Sequence, residues 1–286
     1  MLTLFRLFVA VMTDNKIFSK TGIVFGFIGL SLLVYTLAGY NYFLGTNQKT
    51  VIKLIAPLIL FLVYQRLDDV SLRRVVFGFF SVSIGFLVAW ILRGVPGVLP
   101  IDVDSVLGWG VSKFAEAAPI CFCVFYLGRR NGDSFVSLGL REGAVGRSIV
   151  YGLFASVLGF VQYFAMFGFV FGFSFAQVLA WFPWLLLFSV SNAVLEELIF
   201  RGLFLEKIGV LLGEKWALFL ISFIFAVFHV ALLPFMGLSM MIVFTCFLFI
   251  QGYVWGYILQ KTGSLWGGII AHAFADILFV LAVFSG

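Results

Sequence analysis

About nine apolar stretches, most of them long enough to cross a bilayer, take up the greater part of this 286-residue chain. They lie near residues 23–43, 51–64, 75–91, 111–127, 148–170, 175–200, 216–233, 238–259 and 264–284. A helix needs roughly 20 apolar residues to span the hydrocarbon core, so the remainder of the chain suffices for connections and little else. The second stretch is short and reads as a tilted or partial span. A lone strand cannot satisfy its backbone in lipid, and barrel strands would alternate apolar with polar residues. The expectation is therefore an all-α, polytopic transmembrane bundle of about eight or nine helices. Charged residues make up only 11% of the chain, against roughly 25% in a soluble domain. A soluble protein could not bury this much apolar surface, so a lipid bilayer must solvate it.

Residues 1–22 read as a short N-terminal interfacial segment. Their apolar run is followed by Asp14, Lys16 and Lys20 and lacks a small-residue cleavage site. Residues 23–286 read as a single transmembrane domain. Cations gather at alternate connections: Arg6, Lys16 and Lys20, then Arg66, Arg73 and Arg74, then Arg129, Arg130, Arg141 and Arg147, then Lys207, Lys215 and Lys261. The connections near 171–173 and 234–237 carry none, and Lys49, Lys53 and Arg93 are the exceptions. Positive charge marks cytoplasmic loops, so the expectation is a multi-pass protein of the cell membrane with a cytoplasmic N-terminus. The net charge of +5 is not drawn into any Lys/Arg-rich run, which argues against a nucleic-acid partner. Cys121, Cys123 and Cys246 have neither redox nor zinc spacing and read as small buried apolar residues. Gly22/Gly26, Gly168/Gly172, Gly252/Gly256 and Gly263/Gly267 are small-xxx-small pairs that let helices approach closely.

Ionisable residues inside a span are costly and point to function. Here they concentrate in the last third of the chain: Glu196, Glu197 and Arg201 in one stretch, His229 in the next, and His272 with Asp276 in the last. His229 and His272 are the only two histidines. Glu197 and Arg201 stand four residues apart and can pair, which lowers the cost of burying both. Arg201 could otherwise snorkel to the cytoplasmic interface. Glu196 lies about 100° around the helix from Glu197, away from Arg201 and able to face a cavity. His272 and Asp276 share a helix face, and so do Phe225 and His229, ring beside imidazole. Counting along the helices puts His229 deeper than Glu196 and His272. They meet if helices tilt or if residues 203–212 enter the bilayer. One carboxylate and two imidazoles in a dry cavity suit general-base activation of water, with further donors steadying the oxyanion of a tetrahedral intermediate.

Three motifs carry a resemblance. Glu196-Glu197-Leu198-Ile199-Phe200-Arg201 resembles the EExxxR motif of the CAAX prenyl protease and bacteriocin-processing family. Phe225-Ala226-Val227-Phe228-His229 resembles its FxxxH motif, and His272-Ala273-Phe274-Ala275-Asp276 its HxxxN or HxxxD motif. The run from Gly252 to Gly268 resembles the family's lead-in to that third motif. The resemblance covers roughly residues 180–280. It implies an intramembrane glutamate-dependent endopeptidase that hydrolyses a peptide bond in a membrane-associated protein or peptide, prenylated proteins being one option. By motif position Glu196 is the general base, assisted by His229. His272 and Asp276 form the oxyanion side, with Glu197, Arg201 and Phe225 in support. Asp276 stands where the best-understood form has asparagine. Since an ionised aspartate repels an oxyanion, it serves there protonated or by polarising His272.

No cofactor is expected. A zinc variant on Glu196, His229 and His272 is the alternative, with suitable ligand types but no HExxH spacing. Two other functional classes stand beside the protease: a noncatalytic scaffold or regulator that retains the fold, and a proton-coupled transporter, whose relays also use buried Glu, His and Asp.

Overall fold

Without water, each backbone N–H and C=O must find its partner within its own segment, and among the described residues the computed structural model is helical along its apolar stretches. It describes residues 20–39, 44–92, 100–140, 143–167, 172–230 and 237–284. Helix α1 is Lys20–Ser31, continued by a π-helical stretch, Leu32–Gly39. There follow α2 (Thr46–Arg66), α3 (Val70–Leu92), α4 (Val106–Arg130), α5 (Val145–Ala155) and α6 (Val157–Phe167). Next comes α7 (Phe175–Glu197), which runs through a second π-helical stretch, Leu198–Leu205, into α8 (Glu206–Leu212). The chain closes with α9 (Glu214–Val230), α10 (Leu238–Thr262) and α11 (Trp266–Phe284).

Seven of these helical stretches are long and apolar enough to cross a membrane, and the protein is a multi-pass helical bundle. The short second stretch of the sequence becomes a helix of 21 residues, because Thr46–Lys49 and Gln65–Arg66 extend it with polar turns. The N-terminal interfacial segment, Arg93, Arg141, Gly168 and most of the two cation-free connections lie outside the described residues. Phe122, Phe154, Phe175 and Leu54 turn outward from their helices, as acyl chains require.

Local signals set the boundaries. Ser105 caps α4 by accepting from the Gly108 N–H at 3.0 Å. Ser174 and Gln177 cap α7 reciprocally, at 3.2 and 2.7 Å. Gly263 ends α10 in the left-handed region at φ +67°, where a side chain would be strained. The ends that carry the cations are tied together. Tyr64 donates to Asn131 at 3.4 Å, Arg73 lies over the Tyr64 ring, and Lys207 pairs with Asp133 at 2.9 Å with both side chains buried.

Helix α7 packs between α4 and α11, while its π-helical continuation reaches α3, α9 and α10. The Leu198–Leu205 stretch is buried along its whole length. Residues 203–212 thus pack inside the bundle against α9. The aromatic core of Phe27, Phe79 and Phe204, with centroids 4.4–5.4 Å apart, braces this stretch from the α1–α3 side.

The glycines divide by role. An added Cβ at Gly267 would run into the Ser148 carbonyl and come within 2.8 Å of Ser148 Oγ, so α5 and α11 meet backbone to backbone. Gly209 has open space instead. Of the cysteines, Cys123 is buried and Cys121 half-buried, but Cys246 is exposed on α10, contrary to its reading as a core residue. The outward face of a bilayer helix is as apolar as its inward face, so composition alone does not separate them.

Gly267→Ala should destabilise the detergent-solubilised protein by about 1–3 kcal/mol through overpacking, seen as a lowered melting temperature. Gly209→Ala should leave it unchanged or raise it by up to about 1 kcal/mol.

Candidate active site

The bundle's buried charge begins with Glu197 and Arg201, one turn apart where α7 passes into its π-helical stretch. Arg201 Nη1 donates to Glu197 Oε1 at 3.0 Å, and both side chains are essentially inaccessible, at 1% and 0%. Arg201 therefore does not snorkel. Its guanidinium lies over the Phe225 ring at 4.3 Å and beside Trp255 at 5.6 Å, a cation–π setting that replaces part of its lost hydration. Gly252 makes room, since a Cβ there would stand 2.8 Å from Arg201 Nη2. Gly268 does the same for the carboxylate, with a Cβ 2.8 Å from Glu197 Oε2.

The same Glu197 Oε1 accepts from His272 Nδ1 at 3.0 Å. A carboxylate paired with arginine can only accept, so we assign the proton to Nδ1. The ring is stacked on Trp255, 4.4 Å between centroids and 19° between planes, with Phe225 edge-on at 5.8 Å. His272 thus has its position and its tautomer fixed, and Nε2 is left facing Glu196. His229, on α9, is set the same way by a different device. Its Nδ1 donates to the Phe225 carbonyl at 2.7 Å, and the Phe225 ring lies 4.6 Å from it.

Glu196 meets both rings. Its Oε2 is 3.4 Å from His229 Nε2 and 3.6 Å from His272 Nε2. These distances exceed a good hydrogen bond, and Oε2 is buried without a donor aligned on it. With both Nδ1 atoms protonated the two Nε2 atoms can only accept, so a water lying between these atoms would donate one hydrogen to Glu196 Oε2 and the other to one of the rings. Asp276, one turn beyond His272, has Oδ1 3.8 Å from His272 Nε2. Its Oδ2 accepts from Asn192 Nδ2 at 3.0 Å.

All seven residues singled out in the sequence, Glu196, Glu197, Arg201, Phe225, His229, His272 and Asp276, therefore converge where α7, α9, α10 and α11 meet. Three others were missed. Asn192 is four residues before Glu196 on the same helix, and that spacing in an otherwise apolar run was the available signal. Lys113 and Glu116 lie within α4, paired at 2.8 Å, and Lys113 is near enough for its charge to act on Glu196 and Asp276. Ionisable residues within the helices thus extend beyond the last third of the chain, where the sequence reading concentrates them. Among the described residues no group of three or more His, Cys, Asp or Glu side chains is arranged to hold a metal ion.

Residues 178–278 match the family profile described as type II CAAX prenyl endopeptidase Rce1-like. Comparison with the curated proteins and with solved structures yields no match.

Arg201→Ala should destabilise the protein by about 3–5 kcal/mol, because it strands a buried carboxylate. A thermal melt in detergent that matched the wild type would refute this account of the pair.

Proposed function

We propose, from the match of residues 178–278 to the type II CAAX prenyl endopeptidase Rce1-like profile and from the geometry of the site, that this protein hydrolyses peptide bonds with a water activated by Glu196. The observation that carries this reading is Glu196 Oε2 at 3.4 and 3.6 Å from two imidazole nitrogens whose rings are each fixed from the far side. Glu196 takes a proton from the water, and the oxygen attacks the carbonyl carbon. The tetrahedral intermediate collapses with cleavage of the C–N bond, and the proton passes to the leaving amine. His229 Nε2 accepts the second hydrogen of the water and holds it against the carboxylate. Glu197 and Arg201 act through His272, whose Nδ1 they anchor. His272 and Asp276 form the side on which the carbonyl oxygen gains charge. No metal or cofactor enters this scheme.

The substrate class is a membrane-associated protein or peptide whose cleaved segment reaches the bundle interior. Prenylated proteins are one such substrate. The end of the bundle that gathers Arg66, Arg73, Arg129, Arg130 and Lys207 is read as cytoplasmic by the distribution of positive charge. On that reading the N-terminus is cytoplasmic, and the substrate is met from the cytoplasmic side of the cell membrane.

Reconstitution in lipid with a peptide library, read by mass spectrometry, tests the proposal. Wild type should cleave and Glu196→Gln should not. His229→Ala should lower the rate by about 10²–10⁴-fold. A chelator should leave wild-type cleavage unchanged; inhibition that zinc reverses would instead favour the zinc variant on Glu196, His229 and His272.

A further inference from the structure

A hydrolase of this kind has to answer the negative charge that gathers on the carbonyl oxygen, and a carboxylate is the wrong group for that task. Asp276 nevertheless sits at the reacting centre, with Oδ1 3.8 Å from His272 Nε2. Its neighbour supplies what it lacks. Asn192 Nδ2 donates to Asp276 Oδ2 at 3.0 Å. A carboxylate only accepts, so this bond fixes which end of the Asn192 carboxamide faces the site. It uses one of two amide hydrogens. Asn192 is buried, and it stands four residues before Glu196, so both lie on one face of α7. A polar pair buried in a bilayer bundle costs more than an apolar one and points to function.

We infer that Asn192 is a catalytic residue whose second carboxamide N–H steadies the oxyanion, while Asp276 is the positioning residue that orients it. The inference rests on Glu196 being the base. It also accounts for an acidic side chain at 276: the acceptor there serves the donor at 192.

The test compares Asn192→Leu, Asn192→Asp, Asp276→Asn, the exchange N192D/D276N and Glu196→Gln, all reconstituted in lipid. The probe is the library peptide that wild type cleaves fastest. Loss of an oxyanion donor should lower kcat of Asn192→Leu by about 10²–10³-fold, with KM within about threefold of wild type. Asn192→Asp sets two carboxylates against each other and should fall at least as far. The exchange carries the carboxamide across the pair and should recover kcat to within about tenfold of wild type. Asp276→Asn keeps an acceptor opposite Asn192 and is the single-substitution reference against which the exchange is read. The inference is overturned if Asn192→Leu keeps wild-type kcat while Glu196→Gln is inactive, or if the exchange is no faster than Asn192→Asp. Should Asn192→Leu fail to fold, the exchange decides, since it keeps the same groups and the same hydrogen bond. Cleavage by Glu196→Gln at the wild-type rate would instead remove the base assignment, and this inference with it.

Discussion

An ion pair that water cannot reach, Glu197 with Arg201, organises the functional half of this protein. Two charges held in a bilayer bundle need every compensation the packing can offer. The demand explains several features that look unrelated in sequence. Phe225 and Trp255 present ring faces to the guanidinium, Gly252 and Gly268 give up their side chains to it and to the carboxylate, and His272 completes the acceptor's coordination. His272 gains a fixed ring in return. The costliest interaction in the interior is thus also the one that aims an imidazole at Glu196. Stability and alignment are not separable here, and a change at Arg201 disturbs both.

A second principle is duplication. Each imidazole has its Nδ1 committed to an acceptor, one to a carboxylate and one to a backbone carbonyl one turn back. Both consequently offer Nε2 to the same carboxylate oxygen. The carbonyl in question belongs to Phe225, whose ring also touches His229, His272 and Arg201. One phenylalanine therefore bears on three polar side chains from three elements, a role that goes well beyond filling space.

Much of this was legible in the sequence because polar residues in apolar runs are conspicuous. Glu197 and Arg201 could be paired by their spacing, as could His272 with Asp276. The convergence of Glu196 with His229 was expected from the chemistry and the resemblance, not from helix counting, which set them at different depths. What reconciles them is the π-helical stretch after Glu197 and the packing of residues 203–212, and neither has a signature in hydropathy. Asn192 escaped because it carries no charge, and charge is what made the other residues conspicuous. Lys113 and Glu116 escaped because they stand three residues apart near the start of an apolar stretch, and nothing in their spacing ties them to the residues of the last third. Cys246 was misjudged because lipid-facing and core-facing positions share one composition.

The Leu198–Leu205 stretch has a consequence for how the chain can vary in length. A π-helical turn holds more backbone per revolution than an α-helical one. Loss of a single residue there would let the segment relax toward regular α-helix, which packs fewer residues into each turn. The helices on either side could keep their directions, but Arg201 would turn to a new angle relative to Glu197. The spacing of this segment, as much as the identity of its side chains, is therefore what holds the guanidinium against its carboxylate.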